Sequence, residues 1–382
     1  MIKYFIFAGL FLRIINTYIN SYIMQTPGAG MDARGLHGFA SDVSQNLTFD
    51  PLMIGFTPYT NSLGLIYYLF TDSIFIGGLM SCFFWLLSAI LLLKTLRAFN
   101  VNDKYIVIIF FVYSFLPSSI LFTSITLREV FQLFFINLSL YSYSQIYLNR
   151  RYFFYLPFFA GIILMSTLHG ALLLFGAMLL FSAVLAVLLN QYTRDLLKKY
   201  LKVLVIVGIL LLPVGFYTLS IFTQISESYD IAEGIYFAVE TYQNNLIRED
   251  ARSNYVSEYK FNSALDFIIF IPFNFIQYFL EPFPWRISNI FDLLVFSENL
   301  LRLLSIIIIL KYIGQINNFY KPCIYGFLAS LFFVELLWSI GTVNWGTAIR
   351  HHVPSLGILL LVTAVCLNER VTKKNYENTS YY

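Results

Sequence analysis

Four short segments of the sequence contain the ionisable and polar residues that could take part in a reaction. The first covers residues 30–42 and includes Asp32, Arg34 and His37. A carboxylate at the boundary between protein and lipid could act as a general base toward a hydroxyl group, because partial loss of water raises its pKa toward neutrality. Aspartate also commonly caps a helix, so Asp32 could instead hold the first helical turn. His37 is a candidate substrate contact, or a hydrogen-bonded packing residue.

The second segment, residues 126–129, places Arg128 and Glu129 between two apolar runs. Charges at a membrane edge are costly unless they are paired or functional. The guanidinium of Arg128 has the geometry that suits a phosphate or pyrophosphate, and Glu129 is a second candidate catalytic carboxylate. A local ion pair of Arg128 is the alternative. His169, in the tight turn 166–170, could close the same cavity or serve only as a turn residue.

The third segment is the aromatic and proline-rich stretch that ends at Trp285 and Arg286. Tryptophan is enriched at membrane interfaces, so Trp285 is predicted to anchor the chain there. Arg286 beside it is a candidate ligand for a lipid phosphate.

The fourth segment, residues 341–352, reads as a tight turn between two spans, but it contains more polar residues than a turn needs. Asn344, Arg350 and His351 are candidate substrate ligands, with Arg350 as either an anion ligand or an anchor at the outer end of a span. His351 and His352 are adjacent, so on a helix they point about 100° apart and cannot chelate one ion as an i,i+4 pair can. The segment therefore does not predict a metal site.

The composition indicates the environment in which these segments must work. Apolar residues make up 58% of the 382 residues and charged residues 12%, whereas soluble domains carry roughly 25% charge. Several apolar runs reach the ~20 residues that cross a bilayer. We expect an all-α, polytopic integral membrane protein, with residues 2–22 as a retained first span and three buried cysteine thiols. No nucleotide-binding loop and no nucleic-acid-binding pattern is present.

Long apolar runs and their charged ends predict about ten spans in one transmembrane domain covering residues 1–382. They lie near residues 2–22, 74–93, 105–122, 130–148, 153–168, 170–190, 203–222, 291–311, 322–340 and 353–368. Lysine and arginine are concentrated in the short connections on one side. The positive-inside rule makes that side cytoplasmic, with both termini and the tail 369–382 inside. All four histidines then fall on the outer face of the plasma (inner) membrane, with the outer loops 23–73 and 223–290.

Two further apolar pieces, residues 52–70 and 264–280, are interrupted by or run into prolines. We expect both to be interfacial or re-entrant helices on the outer surface. Residues 31–45, if helical, form an apolar stripe that suits a helix on the membrane surface. Its members are Leu36, Phe39, Ala40 and Val43.

Several of these stretches resemble a known group of enzymes. The segments MDARGLHGFA and FTPYTNSLGLIYYLF, followed by SFLPSSILFTSITLREVFQLFFINLSLY, resemble the membrane glycosyltransferases of the GT-C superfamily over roughly residues 1–190. The stretches EPFPW and NWGTAIRHH in the carboxy-terminal third look more like short bacterial surface-polysaccharide polymerases of the Wzy type. Many GT-C members carry an Asp-x-Asp or Asp-Glu pair in the first loop, and this chain has none. The sequence therefore does not support a divalent metal, and no cofactor is expected.

The resemblance implies a GT-C-like arrangement and an enzyme that transfers or polymerises sugars from a polyprenyl-(pyro)phosphate carrier at the outer face. It implies Asp32 as the base and Arg128, Arg286 and Arg350 as phosphate ligands. The partners would be a polyprenyl-linked sugar or oligosaccharide, membrane lipid and other polysaccharide-assembly proteins. The alternative is a transporter or flippase of lipid-linked oligosaccharide. Transporters commonly place ionisable residues at the membrane midplane and carry inverted repeats, whereas here midplane charges are few and no repeat is evident.

Overall fold

The structure, a computed structural model, describes residues 1–47, 49, 55–189, 235–247, 252–256, 258–261 and 263–379. Within these ranges every regular element is a helix, and one isolated antiparallel bridge joins Asn254 to Asn344. Five helices are long and apolar enough to cross a membrane: Ile2–Ile23, Ile74–Ala98, Ile290–Gln315, Lys321–Ile340 and Trp345–Arg370. The protein is therefore helical and membrane-associated, as its composition predicts.

The helices are numbered in chain order. The amino-terminal half holds α1 (Ile2–Tyr18, continued by a π-helical turn Ile19–Ile23), α2 (Met31–Asn46), α3 (Thr57–Leu69), α4 (Ile74–Ala98), α5 (Asp103–Phe115), α6 (Pro117–Phe122), α7 (Glu129–Asn149), α8 (Tyr155–Leu168) and α9 (Gly170–Leu189). The remainder holds α10 (Ile235–Leu246), α11 (Ala264–Leu280), α12 (Ile290–Tyr312), α13 (Lys321–Ile340) and α14 (Trp345–Thr379).

The chain divides into two compact units. The first unit comprises residues 1–186, 302–331 and 353–382, and the second comprises residues 187–301 and 332–352. Each unit has its own buried polar cluster, and each is described by itself below.

The predicted span 105–122 is wrong as one continuous helix, because the chain breaks between α5 and α6. Leu116 is extended (φ −60°, ψ 121°) immediately before Pro117. The proline ring disfavours the helical conformation of the residue before it and opens a new helix at its own position. The predicted span 203–222 lies outside the described residues. The predicted outer loop 223–290 is described in part, and residues 235–246 within it form α10.

Arg13 of α1 fills the break between α5 and α6. Its guanidinium donates to the hydroxyls of Thr123 (2.7 Å) and Ser119 (2.7 Å) and to the carbonyl oxygen of Ser114 (3.0 Å). It also lies 3.6 Å from the centroid of the Trp85 ring. The side chain is fully buried. A buried charge requires acceptors for its donors, and the carbonyl and hydroxyls at the break supply them.

The predicted helix over residues 31–45 is confirmed, and its apolar stripe packs mainly against α3. Ala40 and Val43 are buried, and a Cβ built on Gly64 of α3 would lie 2.6 Å from the Val43 side chain. The close approach of the α2 and α3 backbones therefore requires the glycine at position 64. Phe39 differs from the rest of the stripe, because it is 52% exposed and stacks on Phe56.

The predicted turn 341–352 is shorter than expected, because α14 begins at Trp345. The side-chain oxygen of Asn344 accepts a hydrogen bond from the backbone N–H of Thr347 (2.8 Å). This contact caps the helix, since the first N–H groups of a helix have no partner within it. Arg350, His351 and His352 consequently lie on a helix rather than in a loop.

Candidate functional site

Two hydrogen bonds connect three segments of the first unit that carry predicted site residues. The hydroxyl of Thr126 donates to the carbonyl oxygen of Ala33 (2.8 Å), which ties the first turn of α2 to the segment before α7. Arg128 donates to the carbonyl oxygen of Leu168 (3.0 Å), which ties that segment to the end of α8. The predicted residues carried by these three segments are Asp32, Arg34, Arg128, Glu129 and His169.

Asp32 lies in the first turn of α2 and is exposed. Its alternative role as the helix cap is wrong, because Gly30 occupies the N-cap position. A carboxylate in the first turn is still favoured by the positive end of the helix dipole. Arg34 is also exposed, on the same turn. Both charged side chains are therefore accessible at the surface of the chain.

His37 joins α2 to the carboxy-terminal end of α3. Its Nδ1 lies 2.9 Å from the Tyr67 hydroxyl, and its Nε2 lies 4.0 Å from a carboxylate oxygen of Asp72. Partial burial lowers the pKa of His37, and the nearby Asp72 only partly opposes that effect. Asp72 also accepts a hydrogen bond from Ser41. These contacts match the packing role of His37 that the sequence left open.

Arg128 and Glu129 have different environments although they are neighbours. Arg128 is half-buried and its bond to Leu168 satisfies a carbonyl at the end of α8, where cations are favoured. Glu129 is 3% exposed, in the first turn of α7. Burial raises the pKa of the nearby Tyr59 phenol, and Tyr67 and, to a smaller extent, Glu129 raise it further. Glu129 is therefore the less accessible of the two candidate carboxylates.

His169 terminates α8 and helps to begin α9. Its Nδ1 lies 3.2 Å from the backbone nitrogen of Ala171, which is the donor of that bond. Because an N–H donates, Nδ1 must be the unprotonated nitrogen of the ring. This contact fits the alternative role of His169 as a turn residue.

The second unit contains a cluster that the sequence predicted only in part. Residues 253–255 run alongside residues 343–345: Tyr255 N–H donates to the carbonyl oxygen of Val343 (2.9 Å), and Trp345 N–H donates to that of Ser253 (3.3 Å). Asn254 and Asn344 form the isolated bridge between the two segments. This short pairing sets Arg252 beside the start of α14.

Arg252 forms a two-point ion pair with Asp292 at the start of α12, with N–O distances of 2.6 and 2.9 Å. Asp292 is fully buried and also accepts from the Trp345 indole N–H (3.3 Å) and from Ser288. The hydrogen bonds to the Asp292 carboxylate raise the pKa of Arg252. About half of the Arg252 side chain remains exposed. Sequence inspection did not identify this pair, because the partners are 40 residues apart.

Arg286 lies on the same tryptophan. Its guanidinium carbon is 4.6 Å from the Trp345 ring centroid, and that of Arg252 is 5.7 Å away. Arg286 also pairs with the buried Glu281 (2.8 Å) and donates to the carbonyl oxygen of Asn254 (2.6 Å). We name the cluster of Arg252, Arg286, Trp345, Asp292 and Glu281 the Trp345 cluster. Two arginines and two carboxylates make it neutral overall, so the predicted phosphate ligand Arg286 already has a counter-ion.

The remaining predicted residues of the fourth segment lie along the first turns of α14. Asn344 uses its amide oxygen as the helix cap. His351 stacks on Trp338 with ring centroids 5.6 Å apart, and its Nδ1 lies 3.1 Å from the Thr342 hydroxyl. Arg350 is half-buried. Both histidine contacts are with residues of the same unit, and they orient the ring before any ligand binds.

His352 belongs to a buried polar triad that sequence reasoning did not assemble. Its Nδ1 lies 3.0 Å from a carboxylate oxygen of Glu335, which also accepts from the Tyr278 hydroxyl (2.8 Å). Its Nε2 lies 3.2 Å from the backbone oxygen of Tyr278. That oxygen can only accept, so Nε2 is the ring nitrogen that donates to it, and Nδ1 faces the Glu335 carboxylate. These contacts give the buried polar groups of the triad partners within the protein.

The described residues offer neither a cluster of metal ligands nor an exposed cysteine. The described residues contain no group of three or more His, Cys, Asp and Glu side chains that could hold a metal ion. Cys82, Cys323 and Cys366 are free and buried, which confirms the prediction of buried thiols.

Comparisons with protein-family models, with curated proteins and with solved structures return no match for this chain.

Proposed function

We propose that this protein is a membrane glycosyltransferase that transfers or polymerises sugars from a polyprenyl-(pyro)phosphate carrier at the outer face of the membrane. The observation that supports the proposal is that the Thr126–Ala33 and Arg128–Leu168 hydrogen bonds connect the segments that carry Asp32, Arg34 and Arg128. The resemblance of residues 1–190 to GT-C enzymes supports it. The proposal includes about ten spans, a GT-C-like arrangement and cytoplasmic termini.

The chemistry of glycosyl transfer from a lipid carrier matches this set of side chains. The acceptor hydroxyl must lose a proton, and the departing (pyro)phosphate carries negative charge that cations stabilise. In the proposal, Asp32 takes the proton, because it is exposed whereas Glu129 is buried. Arg34 and Arg128 stabilise the phosphate charge. The donor reaches the site from the lipid, so the enzyme requires no nucleotide-binding loop.

A transporter of lipid-linked oligosaccharide is a second candidate, and one observation favours it. Broken helices that present backbone groups to a substrate are common in transporters, and α5 and α6 form such a break beside Arg13. The donors of Arg13 are, however, directed to Thr123, Ser119 and the backbone of Ser114 and Gly9. The break is therefore filled by protein groups, and we rank the enzyme first.

The proposed function is tested with Asp32→Asn and a matched control, Asp42→Asn. Both aspartates are exposed on α2, but only Asp32 lies in its first turn. Loss of a general base costs about 100- to 10,000-fold in rate. Each variant is expressed in a strain that lacks the native gene, and the surface glycan is measured on a glycan gel. We therefore expect Asp32→Asn to leave the strain without the glycan. Asp42→Asn should restore the glycan fully.

The same assay includes Arg128→Ala, with membrane levels of every variant measured by immunoblot. Unchanged amount and length of the glycan in both Asp32→Asn and Arg128→Ala, at normal protein levels, would refute the proposed site. Movement of a pre-labelled lipid-linked oligosaccharide across the membrane of vesicles that contain the protein, without any sugar transfer, would instead support the transporter.

A further inference from the structure

The second unit carries a groove of about 370 Å³ between α11 and the segment before it. Its walls include the aromatic rings of Tyr259, Phe261, Phe270 and Phe273. These rings support one another: Phe270 lies 5.0 Å from Phe261 and 5.2 Å from Tyr259, measured between ring centroids. The groove therefore has a wall that contains contacting aromatic rings, and its volume lies within the range of small-molecule sites, about 300–1,000 Å³.

Two buried polar side chains also line this groove. Tyr259 is 4% exposed and Gln277 is 6% exposed. The Tyr259 hydroxyl and the Gln277 side-chain oxygen have no hydrogen-bond partner among the described residues. Buried polar groups in folded proteins are nearly always hydrogen-bonded, so two orphans on one groove point to a ligand that supplies the partners. Together they offer a donor and an acceptor.

The chemistry of the groove selects among three kinds of occupant. A hydrocarbon chain would cover the aromatic wall but leave both polar atoms without partners. A phosphate would meet Glu258 and Asp266, and among the described residues of the groove these two negative charges outnumber the positive charge of Lys260. A neutral sugar ring satisfies both requirements, because its C–H face packs on aromatic rings while its hydroxyls both donate and accept.

We propose that this groove is a binding site for a neutral sugar ring. Tyr259 donates to one hydroxyl of the sugar, Gln277 accepts from another, and the aromatic wall covers the apolar face of the ring. The identification of this sugar as part of a substrate rests on the proposed function. The binding itself does not, because the groove lies wholly within the second unit.

A matched pair of variants on α11 tests the proposal. Ile269 lines the groove and is 62% exposed, whereas the adjacent Ile268 does not line it and is 60% exposed. Ile269→Trp should fill the groove, and Ile268→Trp should place the same indole elsewhere. The full-length protein is held in phospholipid nanodiscs, since glycoside detergents would compete. The probes are the methyl glycosides of glucose, galactose, rhamnose and N-acetylglucosamine. Their binding is measured by saturation-transfer NMR and calorimetry.

We expect at least one glycoside to bind, with Ile269→Trp weakening it by about tenfold or more and Ile268→Trp leaving it unchanged. Gln277→Leu and Tyr259→Phe should also weaken binding. Tyr259→Phe should do so without lowering the thermal stability, because the hydroxyl that it removes has no hydrogen-bond partner among the described residues. The proposal is overturned if no glycoside binds, if the two tryptophan variants behave alike, or if geranylgeraniol is the ligand that Ile269→Trp excludes.

Failure of the groove and failure of the proposed function give different results. Asp32→Asn should keep glycoside binding while losing glycan transfer. If the protein transfers glycan but Ile269→Trp does not weaken glycoside binding, only the proposal of a sugar site in the groove is overturned. Glycoside binding without any transfer would leave the groove as a sugar site and overturn its link to catalysis.

Discussion

At the scale of single residues, the arginines show how chemistry predicted from sequence is modified by packing. The sequence marks Arg128 and Arg286 as candidate anion ligands, and the structure gives each a protein acceptor, Leu168 and Glu281 respectively. The sequence did not predict Arg252 as a ligand, yet its side chain is about half exposed and forms an ion pair with the buried Asp292. The reason is electrostatic: a guanidinium near apolar helices needs oxygen partners, and the nearest ones belong to the protein.

Arg13 provides the clearest test at this scale. Arg13→Met removes the hydrogen bonds to Thr123, Ser119 and Ser114 and the contact with Trp85. Interhelical hydrogen bonds in membrane proteins contribute about 0.6 kcal/mol on average and about 1.7 at most. Several lost together should lower the free energy of unfolding by roughly 2–4 kcal/mol.

The measurement is thermal unfolding of the purified protein in nanodiscs, with Arg34→Met as the matched control. Arg34 is exposed on α2, so its loss should leave stability nearly unchanged. Equal melting temperatures for Arg13→Met and the native protein would show that Arg13 does not hold the α5–α6 break.

At the scale of elements, the structure corrects where helices begin and end. Pro117 divides a predicted span into two helices, and the Asn344 cap starts α14 earlier than predicted. Both signals are short and local, a proline in one case and a side-chain cap in the other. Hydrophobic periodicity extends over many residues, so it locates helices well and their ends poorly.

The packing of α2 on α3 predicts unequal effects of two glycine substitutions. A Cβ at Gly64 would lie 2.7 Å from the Val43 Cβ and 2.9 Å from the Ala40 carbonyl oxygen, whereas a Cβ at Gly35 meets nothing within 4 Å. Gly64→Ala should therefore destabilise the protein by about 1–3 kcal/mol through overpacking. Gly35→Ala, on an exposed helical position, should be neutral or stabilise by up to about 1 kcal/mol.

Hydrogen exchange of α2 amides, read by mass spectrometry, checks this prediction directly. Faster exchange in Gly64→Ala, and unchanged or slower exchange in Gly35→Ala, is the expected result. The same exchange in both variants would mean that α2 and α3 do not pack as closely as the structure indicates.

At the scale of the whole molecule, the placement of positive residues predicts the sidedness of the chain. The three native cysteines are buried, so they provide a silent background for labelling. Asp42→Cys and Arg151→Cys each introduce a thiol at an exposed position. The positive-inside rule places residue 42 outside and residue 151 inside.

A membrane-impermeant maleimide should therefore label Asp42→Cys in intact cells and label Arg151→Cys only after the membrane is opened. Labelling of both thiols, or of Arg151→Cys alone, in intact cells would contradict the predicted topology. It would also contradict a working face that contains Asp32.

The sequence alone determined the class of this protein and marked the segments that we propose carry its chemistry. Apolar composition and run length predicted a helical membrane protein, because a bilayer accepts few other structures. The residues near Asp32, Arg128, Arg286 and Asn344 stood out because polar groups are costly at a membrane.

Only the tertiary structure decided which of these residues meet. Arg252 meets Asp292 across 40 residues of chain, His352 meets Glu335 across 17, and Tyr259 and Gln277 line one groove. No local sequence pattern predicts such contacts, because they depend on how separate segments of the chain pack together in three dimensions.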